Sequence, residues 1–295
     1  MFRAKAVAVL VALFGLTSPL LADPAKLAWD PARSSSPETV EELKALQDQV
    51  KTVLAKETPA TVGLLVEFPG TASRDEETGA GSGVIVSDDG LVLTAAHVIY
   101  NEPNVPRAGL PRRWAALVLV VLPDGTKVAA KPLGVNPDVD SGMVRITGKP
   151  PKSATWPGAN DGKWPVAPIG KTTDLQKGQW VVALGHAGGP RKERSPPVRV
   201  GRFETNLKGE FALRTDCTLV GGDSGGPLFD LIGQLIGIHS RISFGLSSNL
   251  HVPVEEYKKD WDRMLRGDAI GHKVTVDLGA TFADGKAAKL SEVTE

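Results

Sequence analysis

The chain has 295 residues, enough for one two-lobed domain with appendages, and carries 34 basic against 34 acidic side chains. That balance gives no support to a nucleic-acid or anionic-membrane partner. The single cysteine, Cys217, excludes an internal disulfide framework, while 32 glycines and 22 prolines suit a soluble, strand-rich globule.

Residues 1–22 have the pattern of an export signal. Arg3 and Lys5 form a basic start, Ala6 to Leu16 an apolar run, and Thr17-Ser18-Pro19-Leu20-Leu21-Ala22 a breaker and cleavage region. The run is short for a membrane span and Pro19 interrupts it, so cleavage near Ala22 is expected rather than a retained anchor. No cysteine follows the run, so a lipid-anchored amino terminus is not expected. The anticipated location is exported, either periplasmic or secreted.

Residues 23–58 read as an N-terminal segment. A loose stretch over 23–35 precedes Ser36 and Pro37, which suit an N-cap and a first helical turn. Val40, Leu43, Leu46 or Gln47, Val50 and Leu54 then recur at helical spacing as far as Lys56. An amphipathic helix packed on the folded domain is expected, with a regulatory or oligomerising arm as the alternative.

Over residues 59–266 the pattern switches to short β-rich runs separated by turns, of which Pro123-Asp124-Gly125 is the clearest. One set comprises Thr61 to Glu67, Gly83 to Ser87, Leu91 to Thr94, Ala116 to Leu122, Lys127 to Leu133 and Gly142 to Ile146. A second comprises Trp180 to Leu184, Val198 to Phe203, Phe211 to Thr215, Gly226 to Phe229, Gln234 to His239 and Asn249 to Val252. Six and six predict an all-β fold of two antiparallel six-stranded β-barrels with a cleft between them. Val254 to Arg266 reads as a closing helix stopped by Gly267, and 267–295 as a C-terminal tail. The basic and proline-rich loops Asn101 to Arg113 and Ala187 to Pro197 read as surface loops that could also rim a site.

Three motifs carry chemistry, in the order His, Asp, Ser. Thr94-Ala95-Ala96-His97-Val98 follows a strand. Asp138-Val139-Asp140 leads into the strand Gly142-Met143-Val144-Arg145-Ile146. Gly221-Gly222-Asp223-Ser224-Gly225-Gly226-Pro227-Leu228 is a glycine-rich turn. A serine hydroxyl is a weak nucleophile at neutral pH. It needs an adjacent base and donors aimed at the developing oxyanion. Alone, His97 would read as a packed core residue, Asp140 as a turn former and the serine string as a chance hairpin. Together and in order they point to a nucleophilic triad.

These motifs resemble those of the chymotrypsin/trypsin superfamily of serine proteases. From about Thr61 to Leu265 the chain resembles its HtrA/Deg branch more narrowly. Gly81-Ser82-Gly83-Val84-Ile85-Val86 with Gly90-Leu91-Val92-Leu93-Thr94, Thr215-Asp216-Cys217 ahead of the serine turn, and Asn249-Leu250-His251-Val252-Pro253 carry that likeness. The resemblance implies hydrolysis of peptide bonds in proteins through an acyl-enzyme, with no cofactor and no metal. His97, Asp140 and Ser224 would be the catalytic residues, with Asp140 preferred to Asp138 because it directly precedes the strand. Residues Gly222, Asp223 and Ser224 would form the oxyanion hole. An exported protease without disulfides also looks bacterial.

The resemblance places substrate-binding residues at Thr218, His239, Ser240 and Arg241. Thr218 would floor the specificity pocket, with no acid there to select Lys or Arg. His239 falls where glutamyl endopeptidases carry a pocket histidine, so an acidic preference is open beside a small apolar one. Ser240 would sit beside Asp140. Three departures stand out. Asp223 replaces the branch's usual Asn, the 29 residues from Gly267 are too few for a PDZ module, and no trypsin-type activation motif precedes the first barrel. Without a new amino terminus to pair with, Asp223 needs a basic side chain, water or backbone N–H groups. A catalytically latent binding or holdase protein on the same fold is the alternative reading. The oligomeric state is left open.

Overall fold

The computed structural model describes residues 36–68, 78–101, 113–192, 194–242 and 248–271. The expected export signal, the loose stretch over 23–35, most of the 101–113 loop and the tail beyond Gly271 lie outside these residues. Among the described residues no helix is long and apolar enough to cross a membrane.

Two closed antiparallel barrels make up the fold. The first is built from β1 (Thr61–Glu67), β2 (Thr78–Ile85), β3 (Leu91–Ala95), β6 (Leu117–Val121), β7 (Lys127–Asn136) and β8 (Ser141–Ile146). It closes in the order β1-β2-β3-β8-β7-β6. A short helix α2 (Ala96–Ile99) and a two-residue hairpin of β4 (Tyr100–Asn101) and β5 (Arg113–Trp114) sit between β3 and β6. The second barrel comprises β9 (Trp180–Leu184), β10 (Val198–Leu207), β11 (Ala212–Thr215), β12 (Pro227–Asp230), β13 (Leu235–Ile242) and β14 (Asn249–Pro253). It closes as β10-β11-β14-β13-β12-β9. The expected strands all occur, with ends shifted by a few residues.

Side-chain alternation explains the packing. Along β9, Val181 and Ala183 join a small cluster with Phe203, Leu213, Cys217, Leu228 and Ile236. Val182 and Leu184 point the other way, into the large cluster that runs through the first barrel. A strand buried on both faces must be apolar throughout, as Trp-Val-Val-Ala-Leu is. Cys217 is buried as the sequence suggested, and burial pushes its thiol up to about 12, so it is inert.

Helix α1 (Val40–Glu57) starts later than expected. Thr39, not Ser36, accepts the capping bond from Glu42 N–H at 3.1 Å. Only the second half of its apolar stripe is used. Leu46 and Val53 are buried against the barrels while Val40 and Leu43 are exposed. Gln49 Nε2 also donates to Leu231 O in the β12–β13 turn.

The single helix expected over 254–266 is two helices, α3 (Val254–Lys259) and α4 (Trp261–Arg266), broken at Asp260. The break serves two anchors. Tyr257 donates from its hydroxyl to Thr94 O at 2.6 Å, and Asp260 accepts from Asn136 Nδ2 at 2.6 Å. Met264 then packs its backbone on Gly134 of β7, where any Cβ would come within 2.2 Å of the Met264 Cα. Gly267 ends α4 at φ 94°, the left-handed stop expected there.

Candidate active site

His97 stands in the first turn of α2, directly after β3. Asp140 closes the β7–β8 turn with φ 61°, a left-handed conformation uncommon for a side-chain-bearing residue. Its backbone is pinned there by Ala96 N–H donating to Asp140 O at 3.1 Å. The carboxylate accepts from His97 N–H at 3.0 Å and lies 3.0 Å through both oxygens from His97 Nδ1. Ser240, on β13 of the second barrel, donates to Asp140 Oδ2 at 2.5 Å. Asp140 thus ties the two barrels together across the cleft. Asp138 is turned elsewhere, with its carboxylate against Gly271.

The electrostatics follow from this arrangement. Burial alone would raise the Asp140 carboxyl, but hydrogen bonds from His97 and Ser240 and the imidazole charge hold it below the usual range. Burial alone would lower His97, yet its bond to the Asp140 carboxylate and that charge hold it above 6.5. The pair is therefore an anchored carboxylate beside a strengthened base. Ser224 lines the same cleft as His97 and Asp140, about 510 Å³ in volume. Its hydroxyl has no hydrogen-bond partner among the described residues. Such contacts often tighten only when substrate binds.

The turn before Ser224 is shaped by Gly222, at φ 92°. A Cβ there would lie 2.5 Å from both His186 O and Gly189 N. No side chain fits. Asp223 N–H donates to Val220 O at 3.1 Å, closing the turn. That N–H is consumed, which corrects the expectation that Asp223 would serve the oxyanion hole. The N–H groups of Gly222 and Ser224 have no acceptor among the described residues. Asp223 itself is fully buried, and its carboxylate meets the Arg199 guanidinium through two bonds of 3.0 and 2.7 Å.

On the substrate side the expected residues divide. His239, Ser240 and Arg241 line the cleft with Leu219, Val220 and Ile242. Thr218 is exposed and is not among the residues lining the cleft, where its neighbours Leu219 and Val220 stand, so the floor position that the resemblance implied for Thr218 is not supported. His239 is fully buried and both ring nitrogens are engaged. Nε2 lies 3.0 Å from Leu184 O and Nδ1 2.9 Å from His251 Nδ1. A carbonyl can only accept, so Nε2 carries the proton and Nδ1 accepts. His239 then has no N–H left for a substrate carboxylate, so the donor on which the acidic reading relied is engaged elsewhere.

Three side chains that bond around the site were not singled out by sequence: Ser82, Arg199 and His251. His251 faces His239 in the β13–β14 register, a pairing that no local pattern reveals. Arg199 answers the need for a cation at Asp223, but that need did not say which of the 34 basic residues would meet it. Among the described residues no group of three or more His, Cys, Asp or Glu could hold a metal ion.

The family described as "Trypsin-like peptidase domain" matches residues 81–238. A relative from Pseudomonas fluorescens, named "Probable periplasmic serine endoprotease DegP-like", is 31% identical over 72% of this chain and 42% of its own length. A relative of the same name from Pseudomonas savastanoi pv. phaseolicola is 27% identical over 88% of this chain and 51% of its own. "Serine protease HTRA1" of Xenopus tropicalis is 29% identical over 82% and 49%. This chain therefore spans about half or less of the curated relatives it matches. Among solved structures, "HtrA-type protease AlgW with tripeptide" is similar in fold, with a TM-score of 0.55 and 23% identity over 73% of this chain and 63% of that one.

Proposed function

The chain belongs to the trypsin-like peptidase family, and from that premise we propose that it is an exported serine endopeptidase acting on proteins or peptides. Residues 59–266 form the catalytic unit. Ser224 attacks the scissile carbonyl while His97 takes its proton and passes it to the leaving amine. Water then hydrolyses the acyl-enzyme with His97 as base again. Asp140 keeps the imidazole in its productive tautomer and supports the imidazolium. The N–H groups of Gly222 and Ser224 receive the oxyanion. One observation carries this reading: Asp140 binds both His97 and Ser240 at a cleft that also holds Ser224.

Export is supported by the pattern of residues 1–22 and by relatives named as periplasmic serine endoproteases. A preference for small apolar residues beside the scissile bond is favoured by Leu219, Val220 and Ile242 along the cleft and by the engaged nitrogens of His239.

The test uses a fluorophosphonate probe on purified protein beside Ser224→Ala. Labelling of the native chain and none of the variant supports the triad. A folded native chain that never labels would turn the reading to a binding protein on the protease fold.

A further inference from the structure

A serine nucleophile is useful only if its oxyanion hole stands ready, and that depends on the turn bearing Asp223. A carboxylate fully removed from water beside the nucleophile would distort this turn unless a cation compensated it. The Arg199 side chain, on β10, supplies that cation from within the fold. Its NH1 donates to Asp223 Oδ1 at 3.0 Å and its NH2 to Oδ2 at 2.7 Å, while Val220 N–H donates to Oδ2 at 2.9 Å. Gly185 closes the remaining side, since a Cβ there would lie 2.6 Å from Oδ1. The carboxylate is thus satisfied and enclosed, with no room for a cationic chain end.

The adjacent peptides are fixed independently. Gly221 O accepts from Gly188 N–H at 2.7 Å. In a trans peptide the C=O and N–H point to opposite sides, so the Gly222 N–H is turned the other way. Gly188 lies in a turn closed by Gly189 N–H on His186 O at 2.7 Å. The Arg194 NH2 clamps that turn through Ala187 O at 2.5 Å and Gly189 O at 2.7 Å. On the next peptide, the Ser82 hydroxyl donates to Gly222 O at 2.8 Å and accepts from His186 N–H at 2.8 Å. Both peptides flanking Gly222 are thereby held by groups of this same chain.

We propose that Arg199 is a positioning residue for the oxyanion hole, neutralising Asp223 so that the hole stands formed in the free chain without a newly cut amino terminus. The inference rests on the serine endopeptidase reading above. It goes further by assigning what keeps the resting site competent. The planar guanidinium suits this role because its fork engages both carboxylate oxygens at once.

The experiment measures kcat and KM on a chromogenic peptide substrate for the native chain, Arg199→Met, Asp223→Asn and the double variant, with melting temperature for each. The native chain is expected to turn over without prior proteolysis. Arg199→Met should lower kcat on the order of 10²–10³-fold, as for loss of an oxyanion donor, with KM changed less than about threefold. Adding Asp223→Asn to Arg199→Met should restore kcat to within about tenfold of Asp223→Asn alone, because a neutral amide needs no counter-cation. A merely structural role would not produce that rescue. Should Arg199→Met fail to fold, Arg199→Lys takes its place. It keeps the charge without the fork, and its kcat should fall below the native value.

Unchanged kcat in folded Arg199→Met overturns the proposal, as does a folded double variant without rescue. If Arg199→Lys is the variant used, unchanged kcat likewise overturns it. A native chain that labels with fluorophosphonate only after proteolytic cutting overturns the proposal while leaving the endopeptidase reading intact. A native chain that never labels overturns both.

Discussion

His239 on β13 and His251 on β14 meet inside the second barrel with their Nδ1 atoms 2.9 Å apart and neither ring exposed. The proton order along this chain is set from its ends. His239 Nε2–H donates to Leu184 O, so His239 Nδ1 accepts from His251 Nδ1–H. His251 Nε2, 2.8 Å from Thr215 Oγ1, then accepts from that hydroxyl. With both rings neutral every nitrogen is satisfied, whereas protonating both would set two N–H groups against each other. Burial pushes His251 down to about 3, and burial with the charges of His251 and Arg199 pushes His239 well below its usual value.

The first expected outcome is a loss of stability in acid. An imidazole with a depressed folded pKa binds protons more readily unfolded, so stability declines as pH falls through 6.5, and for His251 declines down to about 3. At pH 5 the loss from His251 is about 2 kcal/mol. Urea denaturation at pH 7.5 and 5.0 measures it. His251→Gln should show a smaller drop between the two; an equal drop would remove the dyad as its source.

Asp140 and Asp138 stand two residues apart and should respond oppositely to truncation. Asp140→Ala should reduce kcat by about 10³–10⁴-fold, while Asp138→Ala stays within about threefold. The reverse ranking would overturn the assignment of the orienting carboxylate.

The pH dependence of kcat/KM offers a separate check. His97 must be neutral to act as base, and the Asp140 carboxylate outweighs burial to hold it above 6.5. The acid limb should therefore have its midpoint above pH 6.5. It should move to lower pH in Asp140→Asn, which removes the negative charge. A limb that stays put in that variant would point to another group.

A peptide library should show cleavage after Val or Ala well ahead of Glu, because the cleft presents Leu219, Val220 and Ile242 and no free N–H of His239. Preferred cleavage after Glu would overturn the apolar preference and point to Arg241, which also lines the cleft, as the carboxylate donor.

Glu57, at the end of α1, is buried under the β12–β13 turn, and neither carboxylate oxygen has a hydrogen-bond partner among the described residues. Lys56 Nζ lies 3.4 Å away, too little to offset burial, which raises the carboxyl to about 6. A raised carboxyl costs stability above its folded pKa, and that cost disappears as pH falls below 4.5. Glu57→Gln should therefore stabilise the fold by about 1–2 kcal/mol at pH 7.5 and by little at pH 4. Denaturation midpoints at both pH values decide it; a destabilised variant at pH 7.5 would show that the charge is solvated.

The strands were legible because short apolar runs and turn residues are local. Thr61–Glu67 and Trp180–Leu184 carry their buried pattern in their own letters. The order of His97, Asp140 and Ser224 was legible for the same reason, since each lies in a short recognisable string. The sequence also posed the problem of Asp223, a lone carboxylate before the nucleophile, without containing its answer nearby. Barrel closure decided that. Arg199 reaches Asp223 from another strand, His251 meets His239 only through strand register, and Ser240 reaches Asp140 across the cleft. The break at Asp260 belongs with these, because Tyr257 and Met264 must find separate seats on Thr94 and Gly134. Local pattern determines which residues form an element and which face is apolar. Which polar side chains become partners depends on how the closed barrels bring distant strands together, and burial then makes each pairing obligatory.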